Sequence, residues 1–257
     1  MTARRRPKPQ LSQSLAYGVA ILECFTIERP AVRISELADM LQLSRSTAHR
    51  YAVTLVVLGY LEQDERRRYR LSHHAFRPGL AVIDTIRLET PAAVTILEDL
   101  REQTGHTVSM GALDGTRVIY THRLLAHGAG QYEADMDLDV GTHVPAHCTA
   151  IGKSLLASLG EPEQREAIAR LTLKREGPNT IMSKPALANE LACIRADRVA
   201  VCNEEQKRGV RSIAAAIPHP GRSRPLAVSV TVPAKRYTVK VMTAKFGPHV
   251  RAAAERI

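Results

Sequence analysis

The sequence lacks several features that define common classes of protein. Its 257 residues contain no uninterrupted run of about 18 apolar residues, so neither a membrane-spanning helix nor a membrane partner is expected. The four cysteines form no C-x-x-C pair, which argues against a disulfide framework or a zinc knuckle and predicts four buried small apolar side chains in a reducing compartment. No G-x-G-x-x-G or G-x-x-x-x-G-K-[ST] motif occurs, so a nucleotide-binding fold has no support. We therefore expect no cofactor and no bound metal.

Acidic residues are comparatively scarce, since 36 Lys and Arg face 26 Asp and Glu for a net charge of +10. The excess is about twice as dense in the first third of the chain, where it concentrates at 4–8, 45–50 and 66–70. Such a charge is compatible with nucleic acid, an anionic membrane face or acidic small molecules, and of these we expect nucleic acid and an acidic small molecule. The basic, proline-rich residues 1–10 predict a disordered tail, which could be a minor-groove arm or a plain solubilising segment.

A helix-turn-helix is predicted between residues 35 and 58. Ser35 is a candidate N-cap for the first helix, and Ser44 for a second helix that ends before Gly59. Gln42 stands in the turn where many such motifs have glycine, so it must tolerate the turn geometry. The inward face of the second helix is predicted to consist of Ala48, Tyr51, Ala52 and Leu55.

The outward face of that second helix is predicted to contact double-stranded operator DNA. Arginine pairs with guanine, and serine or threonine reaches phosphates or bases. Strand-like runs at 60–63 and 68–71 surround a charged turn and predict a wing whose tip carries cations near the phosphates. The alternative for the helix-turn-helix is that it serves only for packing within the protein. The alternative for the wing is an ordinary hairpin with a solvated tip. The predicted DNA-binding residues are Ser44, Arg45, Ser46, Thr47, His49, Arg50, Arg66, Arg67 and Arg68.

The pattern of elements predicts an α+β protein with a winged helix-turn-helix at 11–77, a connector helix at 78–91 and a second domain at 92–257. The second domain mixes strands and helices, which favours a mainly antiparallel sheet. Helix-turn-helix modules usually bind DNA in pairs, and the apolar stripe of the interdomain helix needs cover, so a homodimer or tetramer is expected. The strand-like runs are Thr107–Leu113, Arg117–Arg123, Val199–Asn203, Val210–Ile217 and Leu226–Val232, and the helical runs are Ala150–Leu159, Pro162–Leu171, Pro185–Ala196 and Thr238–Ile257.

Residues 145–157 form a loop of small residues that ends in a helix N-terminus. The free amides of Thr149, Ala150 and Ile151, together with the helix dipole, can hold an anion. A carboxylate is the expected ligand. The alternative is a helix N-terminus that is only capped and binds no ligand.

This loop, the segment Asn203–Ile217 and the N-terminal module together resemble the IclR family of bacterial transcriptional regulators, over about residues 11–257. The sequences of residues 44–51 and 204–213 are most similar to those of the subgroup that controls aromatic-acid (β-ketoadipate pathway, protocatechuate-type) catabolism. The resemblance implies a cytoplasmic regulator that is not an enzyme, with a GAF-like second domain that binds a small organic-acid effector.

The resemblance also implies the residues of an effector site. The amides of Ala150 and Ile151 would hold the anion, with an apolar wall from Met136 and Val144. Many family members have Asp where Cys202 stands, and often Cys where Ser212 stands, which leaves the effector open. The side chains that the resemblance directs into the cavity are Cys202, Ser212, Ser229 and Thr231.

Two other functions stay open at this point. One is a redox sensor that uses Cys148 and Cys202, and the other is a small-molecule enzyme with an appended DNA-binding module. A catalytic pair of His147 and Cys148 is disfavoured because neighbours in an extended segment point to opposite sides. Glu204 and Glu205 are expected to form a strand-end ion pair with Lys207 or Arg211.

Overall fold

A computed structural model describes residues 11–26, 28–81, 85, 90, 92–127, 138–218 and 225–257. The chain divides into two units, Met1–Thr85 and Ile86–Ile257. The predicted tail and most of the predicted connector lie outside the described residues, although residues 77–81 and 85 are helical. Among the described residues, no helix has the length and apolar character that crossing a bilayer requires.

The first unit has the helix-turn-helix and wing that the sequence predicts. Its sheet is antiparallel in the order β1-β3-β2, and its core includes Ile21, Leu37 and Tyr69. A 3-10 turn at His73–Phe76 follows the sheet. The elements are α1 (Gln13–Glu23), β1 (Val32–Arg33), α2 (Ile34–Met40), α3 (Arg45–Val57), β2 (Leu61–Gln63) and β3 (Arg68–Leu71).

Local hydrogen bonds explain where the helices of the motif begin. The predicted cap at Ser35 is wrong: β1 leads directly into α2, whose N-cap is Arg33, and the amide of Arg33 donates to Glu36 at 2.6 Å. Ser44 caps α3 as predicted, accepting from the Thr47 amide at 3.1 Å. Gln42 has φ +54°, and its side-chain amide donates to the Asp39 carbonyl at 2.8 Å. That bond stabilises a turn conformation which usually favours glycine.

The second unit is built on a six-stranded antiparallel sheet in the order β6-β5-β4-β9-β8-β7. A 3-10 turn at Ala146–Cys148 leads from β6 into α5. The elements are α4 (Ala93–Thr104), β4 (Thr107–Asp114), β5 (Arg117–Leu124), β6 (His143–Pro145), α5 (Ala150–Ser158), α6 (Glu161–Arg170), α7 (Lys184–Asp197), β7 (Ala200–Asn203), β8 (Val210–Ala216), β9 (Leu226–Pro233) and α8 (Val239–Arg256).

The two faces of this sheet differ in chemistry. Alternate residues of a strand point to opposite faces, and in β9 the valines 228, 230 and 232 pack with α4 and α8 in one core. Ala227, Ser229 and Thr231 lie on the other face, toward α5 and α7. Small and polar side chains on that second face leave room for a cavity between the sheet and the start of α5.

Candidate functional site

The first candidate surface is the N-terminal half of α3. Arg45, Ser46, His49 and Arg50 are exposed there. Ser44 is exposed and Thr47 half-buried, and the two hydroxyls are hydrogen-bonded to each other at 2.8 Å within the helix cap. The helix therefore presents a row of cationic and polar side chains to solvent, as a DNA-contacting helix does.

Arg50 has a more specific environment than the other exposed residues of α3. Its guanidinium carbon lies 5.5 Å from the centroid of the Tyr51 ring, within cation–π distance. The Tyr51 hydroxyl in turn contacts the Ser14 hydroxyl of α1 at 3.4 Å. Arg50 also lines an apolar groove between α1 and α3 together with Leu15 and Val19. The side chain of Arg50 is thus held on the α1 side of α3.

The three arginines predicted on the wing have different surroundings. Arg66 and Arg67 lie in the turn and are exposed. Arg68 is the first residue of β3 and forms an ion pair with Asp64, with its Nε 2.9 Å from the carboxylate. The pKa of Asp64 is lowered by hydrogen bonds from the Arg68 amide and side chain. Arg68 therefore holds the hairpin together, and Arg66 and Arg67 are the cations at the tip.

The second candidate site is a cavity of about 230 Å³ between the sheet and the N-terminus of α5. Of the predicted effector residues, Ala150, Ile151, Ser212, Ser229 and Thr231 line it. Sequence reasoning missed the rest of the lining, because it depends on which strands are neighbours. Thr149, already predicted as an anion-binding residue, also lines the cavity, and the missed residues are Tyr120, Arg123, Leu138, Pro145, Glu176, Gln206, Lys207 and Val210.

Three predicted effector residues are not part of this described lining. Met136 lies outside the described residues. Cys202 is fully enclosed in the core beside α5, and its Sγ lies 3.2 Å from the Cys148 carbonyl, to which the thiol donates. Val144 packs into the same core, and its neighbour Pro145 lines the cavity instead because successive strand residues alternate in direction.

The start of α5 presents hydrogen-bond donors to the cavity. The first amides of a helix have no partner within the helix. Thr149 accepts from the Gly152 amide through its hydroxyl at 3.1 Å and from the Lys153 amide through its carbonyl at 2.9 Å. The amides of Ala150 and Ile151 donate to no other described residue. Two backbone donors at the positive end of a helix dipole therefore remain for a ligand.

A glycine fixes how closely α5 can approach the preceding turn. A Cβ at Gly152 would collide with the backbone of Ala146, so no other residue allows this packing without a backbone shift. Gly152 therefore sets the position of the helix N-terminus relative to β6.

Hydroxyl groups on the cavity-facing side of the sheet are a second set of groups available for hydrogen bonds to a ligand. Ser212 lies opposite Thr231, and Ser229 lies between Ser109 and Ala214 in the strand register. The hydroxyls of Ser212, Ser229 and Thr231 form no hydrogen bond with any other residue that the structure describes. Because Ser229 is only 3% exposed, its hydroxyl can be satisfied only by something inside the cavity.

A buried ion-pair network fixes the outer wall of the cavity. Lys153 is 1% exposed, and its Nζ lies 2.7 Å from Glu205 and 3.0 Å from Glu190. Burial alone would lower the pKa of Lys153, but the Glu205 and Glu190 carboxylates outweigh that effect and raise it. Glu205 immediately precedes Gln206, which lines the cavity. Sequence reasoning missed this pairing, since it joins residues 52 positions apart.

The predicted strand-end ion pair exists for one of the two glutamates. Glu204 pairs with Arg211 at 3.2 Å, as expected. Glu205 pairs instead with Lys153, because it lies on the buried side of the loop.

Neither nucleophilic nor metal chemistry is supported by the described side chains. Cys148 and Cys202 are buried, and desolvation raises the pKa of each thiol. His147 contacts the Lys174 carbonyl at 3.0 Å. Cys193 is exposed, contrary to the expectation that all four cysteines are buried. Within the described ranges, no group of three or more His, Cys, Asp or Glu side chains could hold a metal ion.

A winged helix-turn-helix joined to a domain with a small cavity lined by helix amides and hydroxyls is the architecture of a ligand-responsive transcriptional regulator. The profile of the IclR helix-turn-helix domain matches residues 14–65, and that of the bacterial transcriptional regulator IclR C-terminal domain matches residues 81–257. The chain belongs to the IclR family of bacterial transcriptional regulators, with a DNA-binding N-terminal domain and an effector-binding C-terminal domain.

Individual relatives agree with this assignment. The chain is 32% identical to the HTH-type transcriptional regulator XynR of Escherichia coli K12 over 203 residues, 79% of each protein. It is 33% identical to the p-hydroxybenzoate hydroxylase transcriptional activator of Acinetobacter baylyi over 201 residues, 78% of this chain and 73% of the relative. A regulator of aromatic catabolism among the relatives agrees with the predicted subgroup.

Solved structures share the fold. A transcriptional regulator from Rhodococcus sp. RHA1 superposes with a TM-score of 0.77 at 28% identity, covering 96% of both chains. An IclR homologue from Microbacterium hydrocarbonoxydans in complex with 4-hydroxybenzoate gives 0.78 at 24% identity, covering 94% of this chain and 96% of that chain. The predicted α+β architecture, with a helix-turn-helix domain and an antiparallel effector domain, is confirmed.

Proposed function

We propose that this regulator binds operator DNA as a homodimer or tetramer, and that an aromatic or other small organic acid in the cavity beside α5 changes its affinity for DNA. The observation that carries the proposal is the convergence of the Ala150 and Ile151 amides with the hydroxyls of Ser212, Ser229 and Thr231 on one cavity. Donors without another partner in a small enclosed space suit a carboxylate with further oxygen atoms.

The size and walls of the cavity support a compact acid. Drug-sized ligands occupy pockets of about 300–1,000 Å³, so a cavity of about 230 Å³ suits a smaller molecule. Tyr120, Leu138 and Pro145 offer flat or apolar contact. The relative from Acinetobacter that activates p-hydroxybenzoate hydroxylase, and the Microbacterium homologue with bound 4-hydroxybenzoate, favour the aromatic class.

The DNA-binding role rests on the exposed N-terminal half of α3 and on the wing. We assign base contacts to Arg45 and its neighbours on α3, and phosphate contacts to Arg66 and Arg67. The domain bounds 11–77, 78–91 and 92–257 remain our working division. Since DNA is the target, we place the protein in the cytoplasm, and we infer that it binds its acid without turning it over.

Self-association follows from an exposed apolar surface on the first unit. A groove of about 680 Å³ runs between α1 and α3, and Leu15, Val19 and Leu58 are exposed around it. Apolar patches of this kind mark protein–protein contacts, and a second copy of the chain would match the paired half-sites that such modules read. Sedimentation equilibrium of the full chain measures the stoichiometry.

The effector changes DNA binding only if it prefers one arrangement of the assembly over another. The amides that contact the acid belong to α5, whose position depends on Gly152 and on the Lys153 ion pairs. A ligand bound between α5 and strands β8 and β9 therefore contacts elements against which the rest of the second unit packs. Binding can in this way favour one arrangement of the unit.

The test removes one hydroxyl from the cavity. In Ser229→Ala, we expect calorimetry to show affinity for the acid about five- to tenfold weaker, the loss of one hydrogen bond of about 1 kcal/mol, with unchanged affinity for DNA. Thr172→Ala removes an exposed hydroxyl of the same unit and is the matched control. Wild-type protein that binds none of a panel of aromatic and short aliphatic acids contradicts the proposal, as does a Ser229→Ala variant with a normal binding curve.

A further inference from the structure

Glu205 joins three parts of the cavity wall. Its Oε1 atom accepts a hydrogen bond from the Nζ of Lys153 on α5 at 2.7 Å, and another from the amide of Asn203, at the end of β7, at 3.3 Å. Its backbone carbonyl accepts from the Thr180 hydroxyl at 2.6 Å. The start of α5, the loop after β7 and the segment that holds Thr180 are therefore connected through one buried residue.

Residues next to these connections line the cavity. Gln206 directly follows Glu205, and Ile151 lies in the same first turn of α5 as Lys153. Glu176 belongs to the third part, and its amide donates at 3.1 Å to the hydroxyl that bonds the Glu205 carbonyl. A displacement of Glu205 would therefore move lining residues in three parts of the wall.

Gly177 shows how closely the third part packs on this loop. A Cβ at Gly177 would collide with the backbone of Glu204 and Glu205, so another residue there requires a backbone shift. The Thr180 hydroxyl also accepts from the Gly177 amide at 2.9 Å. Contacts this close leave the loop one arrangement against this segment, and the bond from Lys153 fixes its position relative to α5.

The ion pair between Lys153 and Glu205 has costs for the stability of the fold. Lys153 is the fourth residue of α5, where both burial and the positive end of the helix dipole disfavour a cation. The Oε2 atom of Glu205 is buried and has no hydrogen-bond partner among the residues that the structure describes. Two apolar side chains of similar size are often as stabilising as a buried ion pair, or more so. The location of the pair against the cavity therefore points to a role in binding.

We infer that Lys153 and Glu205 are positioning residues of the effector site: their ion pair holds the loop after β7 against the start of α5 at the separation that the bound acid requires. This rests on the proposed function, since it concerns the affinity of the same cavity for the same class of ligand. The α5 amides and the loop side chains belong to different elements, so an acid can contact both only while that separation is fixed. Binding groups must be held within about 0.5 Å of their productive positions by the residues behind them.

The test removes the ion pair without leaving a buried charge alone. In Lys153→Met/Glu205→Met both partners become apolar side chains of similar length, so we expect a thermal unfolding midpoint close to that of the wild type. The acid is whichever of benzoate, 4-hydroxybenzoate and succinate the wild type binds most tightly by calorimetry. Affinity for it should be about 10- to 100-fold weaker in the double variant, the range seen when residues that orient the ligands of a metal are changed.

The comparison of stability with affinity separates positioning from a merely structural role. If the pair were only structural, affinity for the acid would recover together with the unfolding midpoint. The matched control is Arg198→Met/Glu255→Met, which removes an ion pair of 3.1 Å elsewhere in the same unit and should leave the affinity for the acid unchanged.

Two single variants test which carboxylate matters, and they decide the question if the double variant does not fold. Glu205→Gln and Glu190→Gln each remove one negative charge beside the same ammonium, but Glu190 lies on α7 and is not among the described lining residues. We expect Glu205→Gln to weaken acid binding severalfold, because a charge-assisted hydrogen bond becomes a neutral one. Glu190→Gln should weaken it less.

The outcomes separate this inference from the function on which it rests. Wild-type affinity for the acid in the folded double variant, or no difference between the two single variants, overturns the positioning role but leaves an acid-binding regulator. Failure of every acid to bind the wild type overturns the proposed function itself, and the positioning role with it.

Discussion

Individual thiols show how burial changes the chemistry of a residue. Cys148 and Cys202 lie in the core beside the cavity, and desolvation raises the pKa of both. The thiolate is the species that reacts with oxidants, so these two side chains are poor redox sensors in the folded protein. The exposed Cys193 on α7 is the accessible one among the four.

Labelling with a thiol reagent under native conditions is therefore expected to modify one cysteine per chain quickly and the others only on unfolding. Cys193→Ser should abolish the fast reaction and leave DNA binding insensitive to mild peroxide. Rapid modification of a second thiol in Cys193→Ser, together with a peroxide-dependent loss of DNA affinity, would restore the redox-sensor hypothesis.

Residue-level prediction from sequence succeeded where a role depends on local spacing. Ser44 caps α3, and the loop before α5 supplies free amides, because both features are set within a few residues. Arg123 and the Lys153–Glu205 pair escaped notice because their roles depend on strand order and on contacts between distant parts of the chain. Cys202 was assigned to the cavity from the family pattern alone, yet a thiol packs in the core and bonds a carbonyl where an aspartate would need a polar partner.

At the scale of elements, the wing combines a rigid hairpin with a cationic tip. Arg68 and Asp64 close the turn, and Glu62 pairs with Arg70 across the strands at 3.0 Å. Arg66 and Arg67 lie in the turn between Asp64 and Arg68 and remain exposed. The residues that shape the hairpin are therefore different from those that can contact phosphates.

Removing one tip cation is expected to lower the slope of log K against log salt by about 1, since each phosphate contact releases about 0.9 counterion. The variants are Arg66→Gln and Arg67→Gln, measured by fluorescence anisotropy on duplex DNA. Arg68→Gln should change the slope less, because Asp64 already neutralises that side chain. Arg165→Gln, an exposed arginine on α6, is the control. Slopes equal to the wild type for Arg66→Gln and Arg67→Gln would remove the wing from the interface.

Most elements were predictable because their hydrophobic periods are clear. Five of the six strands of the second unit begin and end within one or two residues of the predicted runs, since each is a short strand-like run bounded by turn signals. β6 was not predicted, because three residues are too few to show a period. β1 was missed because two residues carry no period, and it is this strand that shifts the start of α2 from Ser35 to Arg33. Sheet order and the floor of the cavity could not be read from one sequence, because they depend on pairing between distant strands.

At the scale of the whole molecule, one chain combines two binding functions. In the proposed function, the first unit contacts DNA through α3 and the wing, and the second unit binds an organic acid in its cavity. A regulator of this kind requires that the two binding events be linked in free energy, and such linkage is reciprocal. If an acid weakens or strengthens DNA binding by some factor, DNA must change the affinity for the acid by the same factor.

The most direct test is to measure that factor in both directions. A duplex selected from random sequence by the purified full chain is titrated with protein in the absence and presence of saturating acid, and the acid is then titrated into free and DNA-bound protein. The proposed function predicts equal factors, about 5- to 150-fold, and loss of DNA binding in Arg45→Ala. Tight acid binding with the same affinity in free and DNA-bound protein would contradict it.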